Sequence, residues 1–405
     1  MATNKEQNKL NVPHLRFPEF HGEWEEHGLS EYLDFKNGLN PDSKRFGKGI
    51  KFISVMDILN NPVITYDCIR ASVQATDAEM SSFSVENGDI LFQRSSETLE
   101  DVGRANVYID DKVAVFGGFV IRGKKKANYN PLFFRYLLSS PYARKRIIPM
   151  GAGAQHFNIG QEGLSKVLLN FPSIEEQTKI ASLLHLLDER IATQSKLIED
   201  LKKLKSAIIV EHYRQTEKNE VCVADLGNHF NVGNLAKDDL SETGKPCIIY
   251  GELFTTYGEI ISQIESHTNK TESMILSKKG DLLFPSSTTV DAVSLIAPSV
   301  INVDNVILGG DMFGIHISHN YNTQYLSYYF NHIAKKQLAK FAKGSTIIHL
   351  HYTDIEKAKL LLPSLEEQNR MAKCLVALDK KVSVEQNLLS SLTCQKSYLL
   401  QQMFI

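Results

Sequence analysis

Asn130-Pro131-Leu132-Phe133 comes nearest to a catalytic motif in this chain. Amino-methyltransferases acting on DNA carry Asn-Pro-Pro-Tyr/Phe. The stretch also fits a plain helix start, with Asn130 as cap and Pro131 in the first turn. A second stretch decides between them. Asn322-Thr323-Gln324-Tyr325 occupies the matching place later in the chain, keeps the cap and loses the proline. His349-Leu350-His351 could offer two metal ligands on one face of an extended segment, but no third ligand stands near it in sequence, which favours a structural or exposed pair. Ser286-Ser287 lacks the glycine-flanked elbow of a serine nucleophile. No GxxxxGK[ST] loop is present, and GAGAQH (151–156) precedes no obvious helix. The chain reads as a binding protein.

Its polar groups suit nucleic acid better than catalysis. SKRFGKGIK (43–51) offers Lys44, Arg45, Lys48 and Lys51, and RGKKK (122–126) offers four more cations. Arg144 and Lys145 are answered by Lys335 and Lys336 at matching positions. Lys and Arg gathered on one face attract phosphates and release counterions. A solvated face is the better explanation of any single cluster, and recurrence at matched positions only brings phosphate contact level with it for the Arg144/Lys335 and Lys145/Lys336 pairs. Base reading needs other groups: Arg for guanine, Asn or Gln for adenine, Ser or Thr for either. Gln93-Arg94-Ser95-Ser96 follows one apolar strand, and Ser286-Ser287-Thr288-Thr289 follows its counterpart. Later loops add Gln155, His156 and Asn158 in one case and Ser345, Thr346 and His349 in the other.

The elements that position these groups are duplicated. FPSIEEQTKI begins at Phe171 and LPSLEEQNRM at Leu362, an offset of 362 − 171 = 191, and residues 172–209 align with 363–400 without a gap. Upstream, NGDILF (87–92) answers KGDLLF (279–284), Gly117-Gly118 answers Gly309-Gly310, and NPLFFRYLL (130–138) answers NTQYLSYYF (322–330). A unit of about half the chain is too long for a solenoid repeat. The loops differ where the framework agrees, as two readers of different short sequences would require.

Each unit begins as mixed α/β. FISV, DILFQ and KVAVF read as strands bounded by turn residues, and residues 130–148 and 322–341 read as helices with apolar positions three or four apart. Each unit ends in a long helix. Ser173 with Glu176, and Ser364 with Glu367, have capping-box spacing. Apolar residues then recur in a coiled-coil seam that includes Leu184, Leu187, Ile191 and Leu201 in one helix and Leu375, Leu378, Val382 and Leu392 in the other. One polar position interrupts each seam, Gln194 and Glu385. The two helices are natural partners; periodicity alone allows a parallel or an antiparallel pair.

With 405 residues, two or three domains are expected, and 42% hydrophobic residues allow a sizeable core. The net charge of −2 argues against a protein that binds nucleic acid non-specifically on its own, so local patches or partners must supply the attraction. Five scattered cysteines form no CxxC pair, which suits reduced thiols in a cytoplasm. No apolar run approaches the roughly 20 residues that span a bilayer, and the first ten residues are polar; a cytoplasmic, non-membrane protein is expected.

The duplication, the helix starts FPSIEEQTKIASLLHLLDERI and LPSLEEQNRMAKCLVALDKKV, the GDILF and GDLLF strands and the N-terminal VPHLRFPEFHGEW together resemble the specificity subunits of bacterial type I restriction–modification systems, over essentially the whole length. The resemblance implies an N-terminal segment (1–21), target-recognition domains at 22–170 and 214–361, and spacer helices at 171–213 and 362–405 that pair as an antiparallel coiled coil. Each domain would read one half of a split, asymmetric double-stranded DNA target. The chain itself would be non-catalytic and bind no cofactor. Two modification subunits would bring S-adenosylmethionine, and restriction subunits would use ATP and Mg. A recognition module of another methyltransferase or phage-defence complex, or a coiled-coil scaffold without DNA contacts, are the competing readings.

Overall fold

A computed structural model describes residues 11–405. They form two compact units: one holds residues up to Ser195 together with Asn387–Ile405, the other Lys196–Gln386. Each unit therefore contains part of both long helices. Among the described residues no helix is long and apolar enough to cross a membrane.

In the first unit an antiparallel four-stranded sheet runs in the order Leu33–Asn37, Val120–Lys125, Ile90–Gln93, Ala105–Val107. Strand Ile90–Gln93 is covered on both faces. Ile90 and Phe92 pack against Phe133, Phe134 and Leu137 of the helical layer. Leu91 packs the other way, with Ile53, Phe116 and Val120. Burial on both faces is why this strand is a continuous apolar run rather than an alternating one. The preceding Gly-Asp makes the turn. Gly88 has φ +93°, and Asp89 accepts backbone N–H bonds from Glu86 (3.0 Å) and Lys125 (2.9 Å). A second sheet pairs Phe46–Ile53 with Ser72–Val73 and, in parallel, with Ala114–Phe116.

The second unit repeats this plan. Asp281–Pro285 lies inside a five-stranded sheet between Met312–Ile317 and Ser299–Ile301. Leu282 and Phe284 face one core, and Leu283 faces another. Gly280 has φ +94°, and Asp281 accepts the Lys278 N–H (2.8 Å).

The helices differ from the expectation. Residues 130–148 do not form one helix: Pro131–Ser139 and Pro141–Ile147 are separate. Pro141 has no N–H to continue the first helix and biases Ser140 toward the extended conformation it adopts (φ −67°, ψ 150°), where the Ser140 hydroxyl caps Ala143. Residues 322–341 contain a helix, Thr323–Tyr329, then a wide π turn over Phe330–Ala334 and two short turns. Both expected caps hold: Asn130 accepts from Phe133 (3.0 Å) and Asn322 from Tyr325 (2.8 Å).

The long helices span Ile174–Gln215 and Leu365–Gln402, about 63 and 57 Å at about 1.5 Å per residue. Within the second unit Lys205 meets Asp379 (2.7 Å) and His212 meets Glu367 (2.9 Å), so residue numbers rise along one helix as they fall along the other: the pair is antiparallel. In the first unit Asp188 meets Lys396 (2.5 Å), the counterpart of the Lys205–Asp379 contact with the helices exchanged. Leu184, Leu187, Leu375, Val382 and Leu392 are buried, and Ile191, Leu201 and Leu378 are half-buried.

Each helix is tied to its unit by the repeated Glu-Gln. Gln177 donates to the Pro172 carbonyl (3.0 Å) and accepts the Asn130 N–H (3.1 Å); Gln368 does the same with Pro363 (2.9 Å) and Asn322 (3.0 Å). One side chain thus joins the helix start to the capping residue of the domain helix. The capping boxes are only half as expected. Ser173 and Ser364 accept the N–H of Glu176 and Glu367 (both 3.3 Å), but the two carboxylates reach elsewhere. Glu176 is buried and takes two 2.8 Å bonds from Arg16, while Glu367 takes His212.

Candidate nucleic-acid interface

Three segments of the first unit converge at the exit of strand Ile90–Gln93. Ser95–Ser96 pairs antiparallel with Phe157–Asn158, and the Ser95 hydroxyl bonds the Asn158 side chain. The Arg94 N–H donates to the Phe119 carbonyl (2.9 Å), and the Ile159 N–H donates to the Arg94 carbonyl (2.9 Å). The loop 153–156 is held as a hairpin by the Ala152–Asn158 bridge, with Gly153 at φ +142°. Gln155 and His156 stand exposed at its tip. Two stretches about 60 residues apart in sequence thus form one polar surface.

The second unit builds the same frame from other side chains. Ser287–Thr288 pairs with Ile348–His349, and the Lys343–His349 bridge closes a hairpin with Gly344 at φ +111°. Ser345 and Thr346 are exposed at the tip. The Ser286 N–H donates to the Asp311 carbonyl (2.8 Å), the counterpart of the Arg94–Phe119 bond. The His349 and His351 rings stack with centroids 6.2 Å apart beside Asp311 and Lys343. Among the described residues no three His, Cys, Asp or Glu side chains gather as a metal site.

The individual candidates divide by what already holds them. Ser95, Ser96, Gln155 and Asn158 lie on the paired strands and hairpin, and Thr288, Ser345 and Thr346 on theirs, with Thr289 in the bend just after the strand. Gln93 is buried: its amide donates to the Ser95 carbonyl (2.9 Å), and its Oε1 is buried without a hydrogen-bond partner. Ser286 and Ser287 are also buried, at 4% and 6% exposure, so they support the loop from beneath. Arg94 reaches back to the Gly118 carbonyl (3.2 Å).

Among the cations, Lys44 and Lys48 are exposed, whereas Arg45 is engaged. It meets Glu79 through two bonds and the Gln74 carbonyl through two more. The Arg45 guanidinium holds the Glu79 carboxyl at about 2, helped by the Thr76 N–H. Arg144 bonds the carbonyls of Glu100 (2.8 Å) and Val102 (2.7 Å), and burial followed by nearby Arg104 pulls it down to about 10. Lys145 and Lys336 are exposed, and Lys335 is half-buried. A free cation and a structural arginine look alike in sequence, because the acceptors of Arg45 and Arg144 lie 29 to 44 residues away.

The sequence reading missed the residue after each Gly-Gly. Phe119 is 68% exposed, and its counterpart Asp311 is half-buried in the second unit. The only signal was the Gly-Gly match itself, followed by unlike residues.

The family model for the type I restriction modification DNA specificity domain matches this chain twice, over residues 21–203 and 216–393. The chain belongs to the type I restriction–modification DNA specificity family. The type I restriction enzyme MjaVIII specificity subunit of Methanocaldococcus jannaschii is 21% identical over 416 residues, covering 95% of this chain and 92% of that protein. The solved S subunit of a type I restriction–modification system from M. genitalium shares the fold with a TM-score of 0.60 at 16% identity, covering 97% of this chain and 99% of that one. A chain from a structural study of type I system assembly and conformational transition superposes with a TM-score of 0.57 at 15% identity, over 93% and 96% of the two chains. This specificity subunit therefore recognises DNA, and its tandem domains and antiparallel helices are the family architecture.

Proposed function

We propose that each unit of this specificity subunit reads one half of an asymmetric, split DNA target, and that the chain performs no chemistry itself. The observation that carries this reading is the twice-built frame with different faces: the same strand exit, Gly-Gly turn and hairpin present Ser95, Gln155, Asn158 and Phe119 in one unit and Thr288, Thr346, His349 and Asp311 in the other. Identical faces would read a repeated half-site; different faces read different ones. Two modification subunits bring S-adenosylmethionine and methylate adenines at the chosen target, and restriction subunits bring ATP- and Mg-dependent cleavage. Their cations supplement a chain of net charge −2. The long helices fix the unread gap between the half-sites. A cytoplasmic location follows from a genomic DNA target.

The test is the adenine methylome of a methylation-deficient bacterial host expressing this chain with its neighbouring modification subunit. A split, asymmetric methylated motif that vanishes without this chain is expected. A stable complex that produces no new motif would overturn the reading.

A further inference from the structure

The first unit carries an apolar cavity of about 520 Å³ beside its polar hairpin surface, with Ser95 in its wall. Phe46, Met56 and Phe119 line it, and they are 43%, 61% and 68% exposed. Three large apolar side chains left in water around one cavity are unusual for a folded surface and mark a contact.

The backbone holds Phe119 there. The Val120 N–H closes a tight turn on the Gly117 carbonyl (2.8 Å), and the Arg94 N–H fixes the Phe119 carbonyl (2.9 Å). A Cβ on Gly117 would come within 2.6 Å of the Phe52 ring, and one on Gly118 would have to push aside the exposed Asn40 amide. The turn is thus built to bring backbone close while projecting Phe119 outward next to Ser95. In the second unit the same slot holds Asp311, beside His349 and Lys343.

We propose that Phe119, with Phe46 and Met56, is a specificity-determining contact for the 5-methyl group of a thymine in the half-site read by the first unit. This deepens the proposed function and rests on it. Thymine is the base that offers an apolar group in the major groove, and an aromatic side chain is a suitable partner for it. Asp311 cannot make that contact and is suited to accept from an exocyclic amino group instead, so the two half-sites differ at the corresponding position.

The test uses the full complex with its modification subunits and duplexes carrying the wild-type motif, in which each thymine is replaced singly by uracil. That change removes only the methyl group. One replacement, confined to one half-site, should weaken wild-type binding about fourfold, the value of one buried methyl. The same replacement should have a clearly smaller effect on Phe119→Ala, which keeps only Phe46 and Met56, and should still weaken Phe119→Leu. Phe119 is exposed, so neither variant threatens the core. Uracil effects that are absent from wild type, or identical in wild type and Phe119→Ala, would overturn the inference while leaving the split target intact. Absence of any wild-type motif would overturn the proposed function, and this inference with it.

Discussion

Replacing Lys205 by methionine should destabilise the second unit by about 3 kcal/mol near neutral pH. Lys205 lies in the long helix with only 8% exposure, and its ammonium contacts both Glu259 oxygens (3.0 Å each) and Asp379 (2.7 Å). Asp379 also accepts from Tyr328, and Glu259 bonds His332 (2.9 Å). Burial alone would raise the Glu259 carboxyl; the His332 bond and the Lys205 charge overcome it and hold the group at about 2, against an ordinary 4.5. The His332 bond is the largest single lowering influence and survives the substitution, so the loss expected on removing Lys205 is set by the roughly 3–5 kcal/mol that breaking a buried ion pair costs. The stabilisation is complete above the ordinary value and is lost as pH falls from there through about 2. The deficit of the variant should therefore be smaller near pH 3 than near neutral pH. Urea titrations followed by far-ultraviolet circular dichroism at the two pH values measure this. Lys396→Met is the internal control. Asp188 keeps Arg135 (3.2 Å) and Tyr136 (2.9 Å) when Lys396 is gone, so the loss should be about 1 kcal/mol. A Lys205 deficit below about 1 kcal/mol, or one that does not change with pH, would refute the reasoning.

Gln177→Ala should cost about 1–3 kcal/mol in thermal unfolding of the full chain, because it leaves the buried Pro172 carbonyl and Asn130 N–H without this partner. Lys48→Ala should lower the salt slope of DNA binding by the complex by about 0.9 if Lys48 meets one phosphate, whereas Arg45→Ala should leave the slope unchanged, since its guanidinium is committed to Glu79 and Gln74. Exchanging residues 153–158 for 344–349 should alter one half of the methylated motif and preserve the other. Deleting one heptad from each long helix at matching positions should shorten the unread gap by about 3 base pairs, from about 1.5 Å per residue against about 3.4 Å per base pair, as sequencing of methylated DNA would show.

The duplication and the elements that carry it were legible in the sequence because they rest on local rules. Asn130 and Asn322 cap whatever follows them, Gly88 and Gly280 supply positive φ before a buried strand, and the seam spacing marks two long helices. Local rules did not disclose that Pro141 and the turn over Phe330–Ala334 interrupt the shorter helices, nor that Glu176 would answer Arg16 rather than its own cap. The seam by itself left the direction of the helix pair open, since it is apolar in either sense; the family resemblance implied an antiparallel pair, and the Lys205–Asp379 and His212–Glu367 contacts bear that out. Most of the recognition surface belongs to the tertiary structure. Ser95 and Asn158, or Thr288 and His349, become neighbours only when distant strands pair, and the same pairing buries Ser286 and Ser287 and turns Arg45 and Arg144 into structural ties. Residue type sets which bonds a side chain can make, but whether a partner within the fold has already taken them is decided by long-range packing.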